Sequence, residues 1–515
     1  MAMIQVEHLT FGYEDSPENV FEDISFRLDT DWKLGLIARN GKGKTTMLRL
    51  LMGQLEYRGS ISMPVEVEYF PPEIKEKGQL AVETAESVNP SCELWKFFRE
   101  CNLLGLDTEI LYRPFHTLSN GEQTKVLLAG LFAGEGAFLL IDEPTNHLDS
   151  EARETIGTYL KHKRGFILVS HDRGLLDECV DHVMVMNRQD MEIRQGNFSD
   201  WWQDKTNRDA FEIRENEKLK KEIGRLQTAA RQSKNWADKV ESTKIGKDPL
   251  ADTPARAYIG EKSRKMQMRR KNIERRQERA IEEKQKLLRN VEEPENLKLM
   301  PLVHHKPVLA EAKGCTLAYT SQMPDCPRKA AVEDFSFTLR RGEKIFLRGK
   351  NGCGKSTILK AVMAQAWEKD GRTQVWEEEC FPELIGGSLE TAAGLALSYV
   401  PQDASFLAGS LREYARISGI EETIFFTLLR KLDFSREQLG YDMENYSAGQ
   451  KKKVLLARSL CSQAHLYIWD EPLNYIDVFS RLQIEELLRN SQFTLLAVEH
   501  DKAFCRNIGG REVLI

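Results

Sequence analysis

The chain repeats itself, and a repeat of this length constrains the architecture more tightly than any local propensity. Gly-Leu-Ile-Ala-Arg-Asn-Gly-Lys-Gly-Lys-Thr-Thr at Gly35–Thr46 returns as Leu-Arg-Gly-Lys-Asn-Gly-Cys-Gly-Lys-Ser-Thr at Leu347–Thr357. Leu-Ser-Asn-Gly-Glu at Leu118–Glu122 returns as Tyr-Ser-Ala-Gly-Gln at Tyr446–Gln450, and Phe-Leu-Leu-Ile-Asp-Glu-Pro at Phe138–Pro144 as Leu-Tyr-Ile-Trp-Asp-Glu-Pro at Leu466–Pro472. Val-Ser-His-Asp at Val169–Asp172 returns as Val-Glu-His-Asp at Val498–Asp501. The offset is 311 between Lys44 and Lys355, then 328 between Ser119 and Ser447 and between Asp142 and Asp470. Two copies of one domain follow, the second carrying extra residues between its first two motifs. In each copy short β-branched or aromatic runs alternate with helical stretches. Ile37, Phe138–Ile141 and Phe166–Val169 mark the first copy, and Ile345–Leu347, Leu466–Trp469 and Leu495–Val498 the second. That alternation predicts an α/β fold with buried, mainly parallel strands and crossover helices.

Composition narrows the function classes. Apolar residues at 41% and charged residues at 30% describe a globular chain, and no run approaches the ~18 apolar residues of a membrane span. Met-Ala-Met-Ile-Gln-Val-Glu shows no basic patch ahead of an apolar stretch, so no signal peptide is expected. Nine cysteines without a Cys-x-x-Cys pair predict reduced thiols and a cytoplasmic location. Charge is uneven: Trp202 to Asn290 holds 25 Lys+Arg against 15 Asp+Glu, a net +10, so the rest of this −6 chain carries −16. Within that basic segment Leu219, Ile223, Leu226, Ala230, Ala237 and Val240 follow a helical seam, and Met266, Ile273, Ala280 and Leu287 recur every seven residues. Gly246, Asp248-Pro249 and Thr253-Pro254 interrupt propagation. The expected layout is a first domain over 1–200, an antiparallel helical hairpin over 201–292 with a tip loop near 242–258, and a second domain over 293–515. A polyanion contact and a merely solvated Lys-rich hairpin are both compatible with the charge.

The chemistry lies in the repeated motifs. Gly349-Lys350-Asn351-Gly352-Cys353-Gly354-Lys355-Ser356 is a complete phosphate-loop pattern. Its glycines let backbone N–H groups close around phosphate oxygens, and the following helix N-terminus adds positive potential. Lys355 is expected to reach the β/γ-phosphates and Ser356 to ligate Mg²⁺, with Thr357 closing the motif. The first copy has Ala38 at the leading glycine but keeps Asn40, Gly41, Gly43, Lys44, Thr45 and Thr46. Asp142 and Asp470 end apolar strands, from which a carboxylate can hold Mg²⁺ directly or through water. Glu143 and Glu471 then point to the other side, toward an attacking water. An Asp-Glu-Pro strand end also suits a helix N-terminus. His171 and His500, 28 and 29 residues past the glutamates, suit a γ-phosphate-sensing switch or an ordinary surface position.

These motifs resemble the ATP-binding cassette ATPases, with two cassettes in one chain. The resemblance implies an ATP hydrolase using ATP and Mg²⁺, with Gln402 sensing metal and nucleotide. It implies that Ser447, Ala448 and Gly449 complete the Lys44 site while Ser119, Asn120 and Gly121 complete the Lys355 site. Tyr13 and Tyr319 match the adenine-stacking aromatics, with core packing as the other reading of each. Two cassettes joined by a basic helical linker resemble the ABC-F subfamily, whose members act on ribosomes. Asp470–Phe479 (Asp-Glu-Pro-Leu-Asn-Tyr-Ile-Asp-Val-Phe), Trp32–Ile37 and the Ile259-Gly260 pair with its following basic run are similar to antibiotic-resistance ABC-F proteins of the Lsa/Vga type. That resemblance implies binding at the E site of the bacterial ribosome, contact with large-subunit rRNA and P-site tRNA, and displacement of lincosamides, pleuromutilins and streptogramin A. It further implies a monomer with intramolecular pairing of its cassettes, no membrane and no transmembrane subunit. Lys244, Lys262, Arg264, Lys265, Arg269, Arg270 and Lys271 are the expected RNA contacts, although some of them must face water on a helix. Trp236 and Tyr258 flank the tip, where they either stack on bases or cap the hairpin's own seam.

Ala38, Pro72, Asn120 and Ala448 depart from the commonest forms of these motifs, and Leu473 and Tyr475 stand where the first copy has Thr145 and His147. Pro72, opposite Gln402, has no group able to sense metal. The two sites are therefore expected to be unequal, with the Lys355 site the more conventional. A housekeeping ABC-F translation factor, a transporter's ATPase subunit and a DNA-acting ATPase share the ATP motifs. A transporter subunit leaves the long basic hairpin unexplained, and a DNA-acting ATPase is expected to carry an added DNA-binding module.

Overall fold

The computed structural model describes the chain except residues 1, 15–18, 75, 77, 91, 135, 147, 187–190, 243–300, 320–329, 371–380 and 490. The chain forms two compact units, Met1–Ser199 with Asn296–Ile515 and Asp200–Glu295. The first unit holds both repeats.

Each repeat is built on two sheets. In the first, β1 (Met3–Phe11), β2 (Phe21–Asp29) and β4 (Arg58–Ser62) form an antiparallel sheet in the order β2-β1-β4. The six-stranded sheet takes β5 (Val67–Phe70), β6 (Phe138–Asp142), β7 (Phe166–Val169), β3 (Lys33–Ile37), β8 (His182–Met186) and β9 (Met191–Gln195) in that spatial order. All its pairs are parallel except β8-β9. The second repeat has an antiparallel sheet of β11 (Ala330–Arg340), β10 (Val308–Ala318) and β13 (Glu383–Thr391). Its parallel sheet runs β14 (Leu397–Val400), β15 (Leu466–Asp470), β16 (Leu495–Val498), β12 (Lys344–Arg348), β17 (Arg511–Leu514). The strands foreseen from apolar runs are the central ones. β7, β15 and β16 are buried at every position, as parallel strands covered on both faces must be, and so they lack the alternation of a half-exposed strand. β1 alternates instead, and breaks register between Val6 and Leu9, where His8 takes φ 52°.

The parallel arrangement places the ends of β3, β6 and β7, and of β12, β15 and β16, side by side. The phosphate loops, the Asp-Glu pairs, the Val-Ser-His-Asp and Val-Glu-His-Asp segments and the Pro72 and Gln402 positions each lie at one of those ends or at the end of β5 or β14, while the Leu118–Glu122 and Tyr446–Gln450 segments open the helices Asn120–Phe132 and Ala448–Cys461. Ligands of open α/β sheets lie outside such carboxyl ends.

The described part of the second unit, from Asp200, belongs to the helix Phe198–Ser242, which runs 45 residues through Gly224. At 1.5 Å per residue it is about 67 Å long. The expected second arm, the tip loop after Ser242 and Tyr258 lie outside the described residues, as do Lys244, Lys262, Arg264, Lys265, Arg269, Arg270 and Lys271 and the side chain of Trp236. Among the described residues no helix is long and apolar enough to cross a membrane.

Candidate nucleotide sites

Each phosphate loop joins a buried strand to a helix, Lys44–Leu51 or Lys355–Asp370. Gly43 has φ 89° and Gly354 φ 93°, and a Cβ on Gly354 would stand 2.3 Å from Val332 Cγ2 and 2.7 Å from the Ala331 carbonyl. Only glycine fits that turn. The Ala38 departure leaves the loop intact because the position works through its carbonyl. Lys44 Nζ donates to Ala38 O at 3.0 Å, as Lys355 Nζ donates to Gly349 O at 2.9 Å. Lys44 also donates to Asn40 Oδ1 at 3.3 Å, and Lys355 to Lys350 O at 2.9 Å. Burial lowers the Lys44 pKa against the opposing pull of Glu143, Asp477 and Asp142.

Beside the loops stand the strand-end acids. Thr45 Oγ1 donates to Asp142 Oδ2 at 3.0 Å, and Ser356 hydrogen-bonds Asp470. Burial raises both aspartates, Asp470 to about 6. Asp470 Oδ1 is buried without a hydrogen-bond partner among the described residues. A hydroxyl paired with a buried, underused carboxylate is a donor set suited to Mg²⁺ with phosphate oxygens. The next residues turn sharply: Glu143 and Glu471 have φ 50° and 46°, a conformation costing a non-glycine residue about 1–2 kcal/mol. Their amides hold the turn by donating to Val169 O at 2.9 Å and Val498 O at 3.0 Å. Glu143 Oε1 lies 3.2 Å from His171 Nε2, and Glu471 Oε1 lies 3.5 Å from His500 Nε2. Glu471 has two further donors, Gln402 Nε2 at 3.0 Å and Asn474 Nδ2 at 2.5 Å. The outcome is opposite titration. Burial pushes Glu143 up to about 7, Lys44 opposing it. Burial also pushes on Glu471, but the hydrogen bond and charge of His500, followed by the Gln402 hydrogen bond, outweigh it and hold it down at about 2. Burial and the nearby Lys44 and Arg481 charges keep the His171 pKa well below its ordinary value.

Tyr13 and Tyr319 are 43% and 36% exposed, so neither is a core residue. Their hydroxyls are tied to the loop helices, Tyr13 to Thr46 Oγ1 at 2.9 Å and Tyr319 to Thr357 Oγ1 at 3.3 Å, leaving ring surface open above each loop.

Residues from one repeat reach the loop of the other. Ser447 caps its helix, its Oγ accepting from Gln450 N at 3.3 Å, and Ser119 does the same with Glu122 N at 3.3 Å. Two residues on, a Cβ at Gly449 would be 2.8 Å from Asn40 Nδ2 and 2.4 Å from Tyr475 O. Asn40 Nδ2 donates to that same Tyr475 carbonyl at 2.8 Å. Around Gly121 the nearest neighbours are Leu148 and Ala152 of its own repeat, at 3.7 Å. The Lys355 loop meets the first repeat instead through Asp149, which accepts from Asn351 N at 3.3 Å, and Glu151, 3.3 Å from Lys350 Nζ.

Several of these residues escaped the sequence reading. Asp149 lies a few residues past its Asp-Glu-Pro motif, where the matching Leu-Asp and Ile-Asp pairs were the available signal. Tyr475, with φ 63°, stood out in the sequence only as a departure from His147, with no sign of its contact with Asn40. His147 lies outside the described residues. Arg39 pairs with Asp433 at 2.6 Å. Buried Arg173 pairs with Glu485 at 2.6 Å and lies 3.8 Å from Asp501, itself 3.5 Å from Arg481. Nothing in the spacing of these residues announces a contact between repeats.

Comparison with known proteins agrees with this geometry. The ABC transporter family profile matches residues 21–146 and 332–474, more than half of the chain. Ribosome protection protein VmlR of Bacillus subtilis is 26% identical over 512 residues, spanning 98% of this chain and 85% of that protein. ABC transporter F family member 5 of Arabidopsis thaliana is 25% identical over 563 aligned residues, spanning 99% and 74%. A crystal structure of archaeal ribosome recycling factor aABCE1 with ribosomal stalk protein aP1 shares the fold, with TM-score 0.59 and 18% identity over 98% of this chain and 87% of that one. The chain belongs to the ABC transporter family, as an ATPase with two tandem nucleotide-binding cassettes of the ABC-F kind.

Proposed function

We propose that the chain is a cytoplasmic ribosome-protection ATPase. Its two cassettes, 1–200 and 293–515, close on ATP, and its basic linker, 201–292, then acts at the E site of the bacterial ribosome. The reciprocal seating of the cassettes supports the first half: Gly449 lies against Asn40, and Asp149 accepts from Asn351 N. Nucleotide held at either loop is thereby coupled to the opposite cassette.

Within each site the chain's own groups divide the work. Lys44 and Lys355 exchange their loop carbonyls for phosphate oxygens. Ser447 with Gly449, and Ser119 with Gly121, meet the phosphates from the other side. Glu143 and Glu471 take the proton of the attacking water through a carboxylate oxygen. His171 and His500 hold those carboxylates, and Gln402 adds a second hold on Glu471. Thr45 with Asp142, and Ser356 with Asp470, are the residues that would hold Mg²⁺, which when bound neutralises charge on the transferring phosphoryl group.

The likeness to VmlR along almost the whole chain supports the ribosome as partner. The net +10 of residues 202–290 suits rRNA and P-site tRNA phosphates, with Lys244, Lys262, Arg264, Lys265, Arg269, Arg270 and Lys271 as contacts. Lincosamides, pleuromutilins and streptogramin A are the drugs displaced. The test is ribosome pelleting with the Glu143→Gln, Glu471→Gln double variant, which keeps its ATP. It co-sediments with ATP and not without, and the wild-type chain raises tolerance to a lincosamide. Absence from the ribosomal pellet in every nucleotide state overturns the reading. The near-equal likeness to a plant F-family protein favours a second reading, a housekeeping translation factor; co-sedimentation without drug tolerance would select it.

A further inference from the structure

The first cassette lacks the glutamine that Gln402 supplies to the second, and the structure shows what occupies its surroundings. Tyr69-Phe70-Pro71-Pro72 corresponds to Tyr399-Val400-Pro401-Gln402. The strands carrying them are in the same register: Tyr69 lies opposite Leu140 on β6 as Tyr399 lies opposite Ile468 on β15. Their side chains nevertheless differ in use. Tyr399 is packed into the apolar core with Ile468 and Leu466. Tyr69 is half-buried, and its hydroxyl donates to Asp142 Oδ2 at 3.1 Å. The same oxygen accepts from Thr45 Oγ1 at 3.0 Å.

Two hydroxyls therefore converge on one oxygen of the aspartate on the metal side. In the second cassette the corresponding tie from the β14 end goes to the other acid, Gln402 donating to Glu471 at 3.0 Å. We infer that Tyr69 is a positioning residue of the Lys44 site, its hydroxyl fixing the Asp142 carboxylate for Mg²⁺ so that this site retains metal-bound ATP more tightly than a site relying on Thr45 and Asp142 alone. The inference rests on the nucleotide reading above and is independent of the ribosome. A phenol that donates to the carboxylate orients it and, with Thr45 on the same oxygen, occupies both lone pairs of Oδ2, leaving those of Oδ1 to a metal or a metal-bound water. Outer-shell hydrogen bonds of this kind are worth about 10–100-fold in metal affinity.

Tyr69→Phe deletes only the oxygen. Lys355→Ala silences the second site, so fluorescent-ATP affinity in that background reports on the Lys44 site, measured once in EDTA and once in saturating Mg²⁺. The expected result is an unchanged affinity in EDTA and a tenfold or greater loss of the Mg²⁺-dependent gain. In the mirror background, Lys44→Ala, Tyr69→Phe leaves both affinities unchanged. A purely structural role for Tyr69 would weaken binding equally in EDTA and Mg²⁺, and that outcome overturns the inference. So does an unaltered Mg²⁺-dependent gain. If the parent Lys355→Ala chain binds no ATP in either condition, the nucleotide reading of the Lys44 site falls, and the inference with it.

Discussion

Adding one methyl group to either signature glycine should have opposite consequences. Gly121 and Gly449 hold the same place, second in the helices Asn120–Phe132 and Ala448–Cys461. Alanine is the better helix former by about 1 kcal/mol in a helix interior and by less in the first turn. At Gly121 the nearest neighbours of the new Cβ stand at 3.7 Å, an ordinary contact, so Gly121→Ala is neutral or slightly stabilising in the nucleotide-free protein. At Gly449 the new atom meets the Tyr475 carbonyl at 2.4 Å and Asn40 Nδ2 at 2.8 Å. That is roughly 1 Å inside van der Waals separation, and the carbonyl is backbone, pinned by the Asn40 hydrogen bond. Overpacking of this kind costs about 1–3 kcal/mol. Set against the helix gain, about 1–2 kcal/mol of destabilisation remains, and it falls on the contact between the first phosphate loop and the second cassette. Calorimetry of the ATP-free variants should show a lowered first transition for Gly449→Ala and an unchanged or raised one for Gly121→Ala. Equal shifts for the two alanines, or the reverse order, would refute the reasoning.

Arg173→Met should cost about 3 kcal/mol in denaturant unfolding, because it removes a buried cation from between Glu485 and Asp501; Arg489 and Asn507 still reach Glu485 and Arg481 still reaches Asp501, which keeps the loss at the low end. Adding Glu485→Gln should recover part of it, and a coupling near zero in the double-mutant cycle would sink the pairing. Burial raises Asp470 from 3.8 to about 6, so the native state binds this proton more tightly than the unfolded chain, and stability falls as pH rises across that window. In metal-free protein Asp470→Asn should therefore gain on wild type by about 2 kcal/mol between pH 4 and pH 8; a gain independent of pH would contradict the raised value. With Glu143 at about 7 and Glu471 at about 2, hydrolysis in the Lys355→Ala background should climb through neutral pH, while that in the Lys44→Ala background stays flat from about pH 5 to 9. Superimposable profiles would remove the electrostatic distinction.

What could be read from the sequence was set by locality. Phosphate loops, strand-end acids and helix-capping serines are contiguous in the chain, and each carries its chemistry in adjacent residues, so the repeat displays them twice. Tyr69 was invisible for the converse reason: it stands 73 positions from Asp142 and reads as one more aromatic in a β-strand. The antiparallel sheets of β1, β2 and β4 and of β10, β11 and β13 went unplaced because their strands face solvent on one side and break register, blurring the alternation. Contacts between cassettes, such as Arg39 with Asp433, join residues 394 apart, with ordinary side chains at both ends. The Tyr13 and Tyr319 alternatives could be separated only by exposure, a property of the folded surface.

The same motif also produced two different acids, and the difference arises outside the motif. Glu143 and Glu471 share strand position, backbone twist and histidine partner. They differ in what those surroundings contribute: His500, by hydrogen bond and charge, and then Gln402 hold Glu471 down, whereas Glu143 Oε1 makes no hydrogen bond among the described residues and its Oε2 accepts only from the His171 amide at 3.4 Å, with Pro72 in place of the glutamine and the nearby hydroxyl spent on Asp142. A buried carboxylate titrates low only where donors repay its lost hydration. Glu471 has those donors in place before any ligand arrives. Glu143 has one long donor, the His171 amide, and the positive charge that most favours its ionised form is Lys44, the group nucleotide phosphates would draw toward themselves. Filling the Lys44 loop would thus weaken the charge that favours an ionised Glu143, so in this cassette tight binding and rapid proton transfer oppose each other; in the second the opposition is weaker, because Lys355 ranks behind His500 and Gln402 among the causes that hold Glu471 down.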